Sequence, residues 1–189
     1  MKRWSICACA VLTCALTAGV SVAETWRGLV VVPECRCSPY DKKKDYGYSQ
    51  KLERKIVKRL GSVYGPYTKR CFASERETDI EHIVATSEAH DSGLCSRSRE
   101  ERLRFASDLR NLTLASPSVN RYQKSDKDAA DWLPPKNQCW FVNRVVEVRQ
   151  AYGLTIDRRE KEALERVLSK CESMRMEPVK CGSKADAGR

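Results

Sequence analysis

One stretch of the sequence joins two side chains that could do chemistry together: Thr78-Asp79-Ile80-Glu81-His82-Ile83-Val84. A carboxylate beside an imidazole is the minimum equipment for metal-assisted hydrolysis: a hard oxygen ligand for a divalent cation, and a base that titrates near neutral pH. Ile80, Ile83 and Val84 give the segment something to bury. It therefore predicts a short strand that ends by presenting Glu81 and His82 to a cleft. A Glu-His pair alone is common, and its plain alternative is a surface histidine beside a solvated glutamate. The other histidine, His90, precedes the Asp91-Ser92-Gly93 turn, a setting for a structural hydrogen bond rather than for catalysis.

The elements around this stretch have to hold it in place. Trp26 to Val32 is an apolar run that predicts a strand closed by Pro33, and residues 41–45 predict a solvated charged loop. Ser49 N-caps a helix through Leu60, with Leu52, Ile56, Val57 and Leu60 on one face and Gly61 as its stop. Tyr67 to Phe72 predicts a strand after the Gly65-Pro66 turn. Ser98 to Leu109 predicts a helix with Leu103, Ala106 and Leu109 inward. Leu112 to Ala115 alternates as a second strand, and Ser116-Pro117 opens a helix. Helices follow at about Cys139–Ala151, ended by Gly153, and from the Asp157-x-x-Glu160 capping box to Cys171. Trp132 and Trp140 flank the Pro134-Pro135 loop as core anchors rather than base-stacking platforms.

Composition sets the class and the compartment. Lys2 and Arg3, an apolar run to Val20 and Ser21-Val22-Ala23 form a signal peptide, with cleavage expected after Ala23. The run is too short for the ~20 residues of a membrane span, so export to a secreted or periplasmic location is expected. Cleavage removes Lys2 and Arg3 and no acidic residue, lowering the net charge from +10 to about +8. That balance favours an anionic partner, with nucleic acid first and an anionic membrane surface second.

Seven of the ten cysteines would remain, and in an exported chain they read as disulfides with one left over. The last two helices have similar lengths and a short connection, so an antiparallel hairpin brings Cys139 beside Cys171, within reach of the ~5.5–6 Å Cα separation of a bridge. Cys71 and Cys95 bracket the Glu81-His82 strand and form the second expected pair. Cys35, Cys37 and Cys181 then share one bridge and one remaining thiol.

Four motifs come in order: Asp79-Ile80-Glu81-His82-Ile83-Val84, Asp108-Leu109-Arg110-Asn111-Leu112, Ser118-Val119-Asn120-Arg121 and Lys127-Asp128-Ala129-Ala130-Asp131-Trp132-Leu133-Pro134. Together they resemble the exported bacterial HNH endonuclease family proteins, whose site is a ββα-metal finger, over roughly Tyr64 to Leu168. The resemblance implies an α+β fold, a single mostly helical domain built around that finger and stapled by disulfides. On this reading residues 1–23 are the signal peptide. Residues 24–172 are the nuclease domain, with its finger at about 67–133 and a helical hairpin at 139–171, and 173–189 are a polar tail.

The resemblance also implies roles. His82 is the general base, Glu81 a metal ligand, Asn111 the amide that holds the catalytic loop, and Asn120 the third letter of the triplet and a second metal ligand. Related nucleases often carry aspartate where Glu81 stands, which leaves open whether Asp79 contributes instead. Oxygen ligands suit Mg²⁺, with Mn²⁺ as the other candidate. Arg110, Arg121, Lys124 and Lys127 cluster around the motifs and read equally as phosphate contacts and as a solvated helix face. The expected activity is metal-dependent cleavage of DNA, with RNA left open and little sequence preference. The competing expectation is a basic, disulfide-stapled protein that keeps the framework without hydrolysis and attaches to nucleic acid or an anionic surface. The sequence says nothing of an immunity or inhibitor partner.

Overall fold

The computed structural model describes residues 23–177, 179 and 181–182, so the expected signal peptide lies outside the described residues except for Ala23. The apolar run after it is a hairpin rather than one strand. β1 (Thr25–Trp26) and β2 (Leu29–Val30) pair antiparallel across Arg27 and Gly28, both at positive φ, the backbone a tight two-residue turn requires. Val31 then bridges in parallel to Ile156, tying the N-terminal segment to the far end of the chain. The charged loop contains one helical turn, α1 (Lys42–Asp45), because the Asp41 carboxylate accepts from the amides of Lys43 and Lys44. α2 (Leu52–Leu60) starts later than Ser49 and ends where Gly61 takes φ 81°. In place of a strand at 67–72, β3 (Tyr64–Gly65) and β4 (Arg70–Cys71) form a second small hairpin that leaves Tyr67 buried in its turn.

β5 (Asp79–His82) pairs antiparallel with β6 (Leu112–Ala115), Glu81 opposite Thr113 and His82 opposite Leu112. Strand alternation gives this ribbon two different faces. Ile80, Leu112 and Leu114 pack with Ile56 of α2 in a small core of their own. Asp79, Glu81 and Thr113 face the other way, towards the π-helical turn Val119–Lys124 that follows β6. Between the strands lie α3 (Thr86–Asp91) and α4 (Arg99–Ser107), the latter capped by a reciprocal Ser98–Glu101 box. On α4 Phe105 and Ala106 are buried while Leu103 stays half-exposed, so the inward face is shifted from the expected one.

α5 (Gln138–Tyr152) and α6 (Arg158–Leu168) form the helical hairpin over the main core. Asp157 caps α6 through the Glu160 amide, but the Glu160 carboxylate does not complete a capping box. It turns inward to Arg149, whose buried guanidinium also meets Glu88 of α3 at 2.7 Å and Ser92 at 2.9 Å. A charge buried this deeply needs such partners. No helix among the described residues is long and apolar enough to cross a membrane.

Cys139 and Cys171 are bridged, with Cα atoms 5.8 Å apart. The Cys71–Cys95 pairing is corrected: the structure joins Cys37 to Cys95 and Cys71 to Cys181. The chain flanking β5 leaves in two directions. Cys95 lies under the loop after β2, fixed by Arg36 on Asp91 at 2.6 Å and by Ser38 on the Cys95 carbonyl at 3.0 Å. Cys71 faces the C-terminal segment, where Glu177 is bound by Lys69 and its carbonyl accepts from the Tyr64 hydroxyl.

Candidate active site

A cleft of about 730 Å³ runs along β5, and every residue from Thr78 to His82 lines it. Five expected site residues meet it: Asp79, Glu81, His82, Asn120 and Arg121. Both faces of β5 reach the cleft because β5 pairs only with β6 and leaves its other edge open. The π-helical turn supplies the opposite wall. Its looser winding, with the Ser125 amide donating to the Asn120 carbonyl five residues back, points Asn120, Arg121 and Lys124 at the strand.

The two carboxylates sit in different surroundings. Asp79 accepts from the Asn120 amide at 3.0 Å and from Arg121 at 2.7 and 2.8 Å, and this guanidinium holds its carboxyl below the usual range. Glu81 is 2% exposed, and burial pushes its pKa up against the opposing pull of Lys124, whose ammonium lies 3.0 Å away. Lys124 is itself fully buried and donates to the His82 carbonyl at 2.9 Å. The Glu81 Oε1 atom makes a charge contact with Lys124 but no aligned hydrogen bond. The hydroxyls of Thr113, directly across the ribbon, and of Tyr67 are likewise buried without one.

His82 is buried, with Nε2 2.9 Å from the Ala106 carbonyl and the Tyr48 ring edge-on at 5.2 Å. A carbonyl can only accept, so Nε2 carries the proton and the lone pair falls on Nδ1. Burial lowers the imidazole pKa to about 4 and keeps the ring neutral at neutral pH. Asn111 is fully buried beside it. Its amide donates to the Val84 carbonyl at 3.0 Å and accepts from the Val84 amide at 2.8 Å, clamping the chain where it leaves β5.

The remaining expected phosphate contacts are dispersed. Lys124 is inside, as described. Arg110 pairs with Asp108 and lines a separate groove with Arg59, Trp140 and Met174, while Lys127 donates to the Gln123 carbonyl. The sequence reading missed Lys42 and Tyr48, which reach the cleft from well upstream, and no spacing relates them to the motifs. His90 donates from Nε2 to the Ser38 carbonyl at 2.8 Å, and its Nδ1 pairs with the Tyr46 hydroxyl at 2.8 Å, deep in the core. Glu34, Glu88 and Asp128 bring their oxygens within 4.8 Å of one another, but Arg149 already lies against Glu88. Glu88 belongs to the network that closes α5 and α6 onto α3, and Asp128 accepts from the Ala130 and Asp131 amides.

The oxygen set at the cleft fits a hard divalent cation. Asn120 donates its side-chain N–H to Asp79, which leaves its own amide oxygen for another partner, and Glu81 Oε1 is buried against the Lys124 ammonium. Residues 38–167 match the family model described as GmrSD restriction endonucleases, C-terminal domain. The chain belongs to this family. That span includes every cleft residue taken from β5 and the π-helical turn, and the family is of the HNH nuclease type. A protein of Arthroderma benhamiae, described as an uncharacterized secreted protein, is 32% identical over 114 residues, 59% of this chain and 56% of that protein. The chain thus spans a little over half the length of this relative. No solved structure matches the chain.

Proposed function

We propose that the chain is a secreted, divalent-metal-dependent HNH endonuclease that hydrolyses phosphodiester bonds of DNA, with RNA as the other candidate substrate, and with little sequence preference. The observation that carries this reading is the contact between Asp79 and Asn120. Residues 41 positions apart meet there, the Asn120 side-chain N–H donating to the Asp79 carboxylate, in the same cleft as Glu81 and His82. Family membership supports nuclease chemistry. The secreted relative and the three bridges support an extracellular setting.

His82 Nδ1 takes the proton from the attacking water, while the Ala106 carbonyl fixes the tautomer that leaves Nδ1 free to do so. Glu81, Asp79 and Asn120 would hold Mg²⁺ or Mn²⁺, which supplies charge stabilisation at the phosphoryl oxygens when bound. Asn111 keeps the loop after β5 in register, and Arg121 and Lys42 hold the backbone without reading sequence. We take residues 24–172 as the catalytic domain.

One observation favours the competing reading of a binding protein without hydrolysis. Each carboxylate already faces a basic side chain, Arg121 on Asp79 and Lys124 on Glu81. Plasmid nicking by the mature chain decides between them. Nicking in Mg²⁺ that stops with EDTA supports the endonuclease, whereas DNA binding with no nicking in Mg²⁺ or Mn²⁺ overturns it.

A further inference from the structure

Six of the seven tyrosines are buried or half-buried, and one, Tyr122, is 78% exposed. A lone exposed aromatic ring carries no message by itself. The place of this one does. It follows Asn120 and Arg121 on the π-helical turn, and the residues on both sides of it, Asn120 and Arg121 before, Ser125 and Asp126 after, line the cleft. The ring therefore stands on the rim.

The turn that bears it is rigidly held. Lys124 is anchored inside on Glu81 and the His82 carbonyl, and Asn120 and Arg121 are both bonded to Asp79. With those three side chains bonded to β5, Tyr122 is left exposed next to Arg121, on a turn anchored at three points. Turns of this winding recur at functional sites.

We propose that Tyr122 is a stacking platform for an unpaired base adjacent to the phosphate held in the cleft, so that the substrate class is single-stranded or locally unpaired nucleic acid. This rests on the nuclease reading. An aromatic face can take any base, which suits weak sequence preference, but it needs a base whose face is open. Bases within a continuous duplex are already stacked on both sides.

The test is fluorescence anisotropy of the mature chain with a labelled single-stranded oligonucleotide and with the duplex of the same sequence, in EDTA so that no probe is cleaved. Tyr122→Ala should weaken single-strand binding roughly 5- to 150-fold, the range for one stacked base, while Tyr122→Phe stays within about twofold. Duplex binding should be unchanged in both variants. Unchanged single-strand binding by Tyr122→Ala, equal losses in Ala and Phe, equal losses on single strand and duplex, or no single-strand binding by the unsubstituted chain each overturns the proposal. Binding is read without catalysis, so failure of the nuclease reading shows separately, in the nicking assay.

Discussion

Glu81 and Asp79 lie two residues apart on one strand face, yet their environments predict different consequences of removal. Glu81→Ala leaves the Lys124 ammonium buried and unpaired, a change that costs about 3–5 kcal/mol. Asp79→Ala releases Arg121, whose side chain is 59% exposed, and costs little stability. Denaturant unfolding should separate the two variants. In nicking assays Glu81→Ala and Asn120→Ala should recover partly as Mn²⁺ is raised, because each weakens cation affinity, while Asn111→Ala should lose activity without such rescue. If Asp79→Ala alone gives the metal-rescuable defect, the ligand belongs to Asp79 and not to Glu81. The motif order made Glu81, His82 and Asn120 legible, since each is a chemical residue type inside a recognisable run. The burial of Lys124 was not legible: among so many basic residues, nothing marks one lysine for the interior, and only the winding of the turn directs it there.

At the scale of elements, α3, α5 and α6 are joined by one buried guanidinium with two carboxylates against it. Burial, with Glu88 and Asp128 close by, pushes the Glu160 pKa up to about 8, although Arg149 pulls it back. A carboxyl whose folded pKa lies above its unfolded value contributes stability that is fully present below about pH 4.5 and is lost as pH rises towards 8. The Tm should therefore fall between about pH 5 and pH 8. Glu160→Gln should flatten that slope, and an equal slope in the variant would remove Glu160 from the account. The Cys139–Cys171 bridge closes the other end of the α5–α6 hairpin, and Cys171→Ser should cost roughly 3–4 kcal/mol in unfolding experiments. This hairpin was readable because apolar periodicity fixed two matched helices with a short connection. The β1–β2 reversal at Arg27-Gly28 and the Cys37–Cys95 bridge were not. A two-residue turn hides inside an apolar run, and bridge partners depend on where loops travel in space rather than on what they bracket in sequence.

For the whole molecule, the cleft is a meeting of distant segments: the N-terminal region brings Lys42 and Tyr48, β5 the carboxylates and imidazole, and the turn after β6 the amide and guanidinium. The net charge, +10 for the full chain and about +8 without Lys2 and Arg3, surrounds it with a field that draws in polyanions, and binding should weaken steeply with added salt. The central claim is that the cleft cleaves phosphodiesters with His82 as its base. His82→Gln tests it most directly, since the glutamine amide can still donate to the Ala106 carbonyl and hold the fold, while its base is gone. Plasmid nicking by this variant, compared with the unsubstituted chain at saturating Mg²⁺, should be ~10²–10⁴-fold slower and should not recover at higher metal. Nicking at the unsubstituted rate by a folded His82→Gln chain would contradict the account.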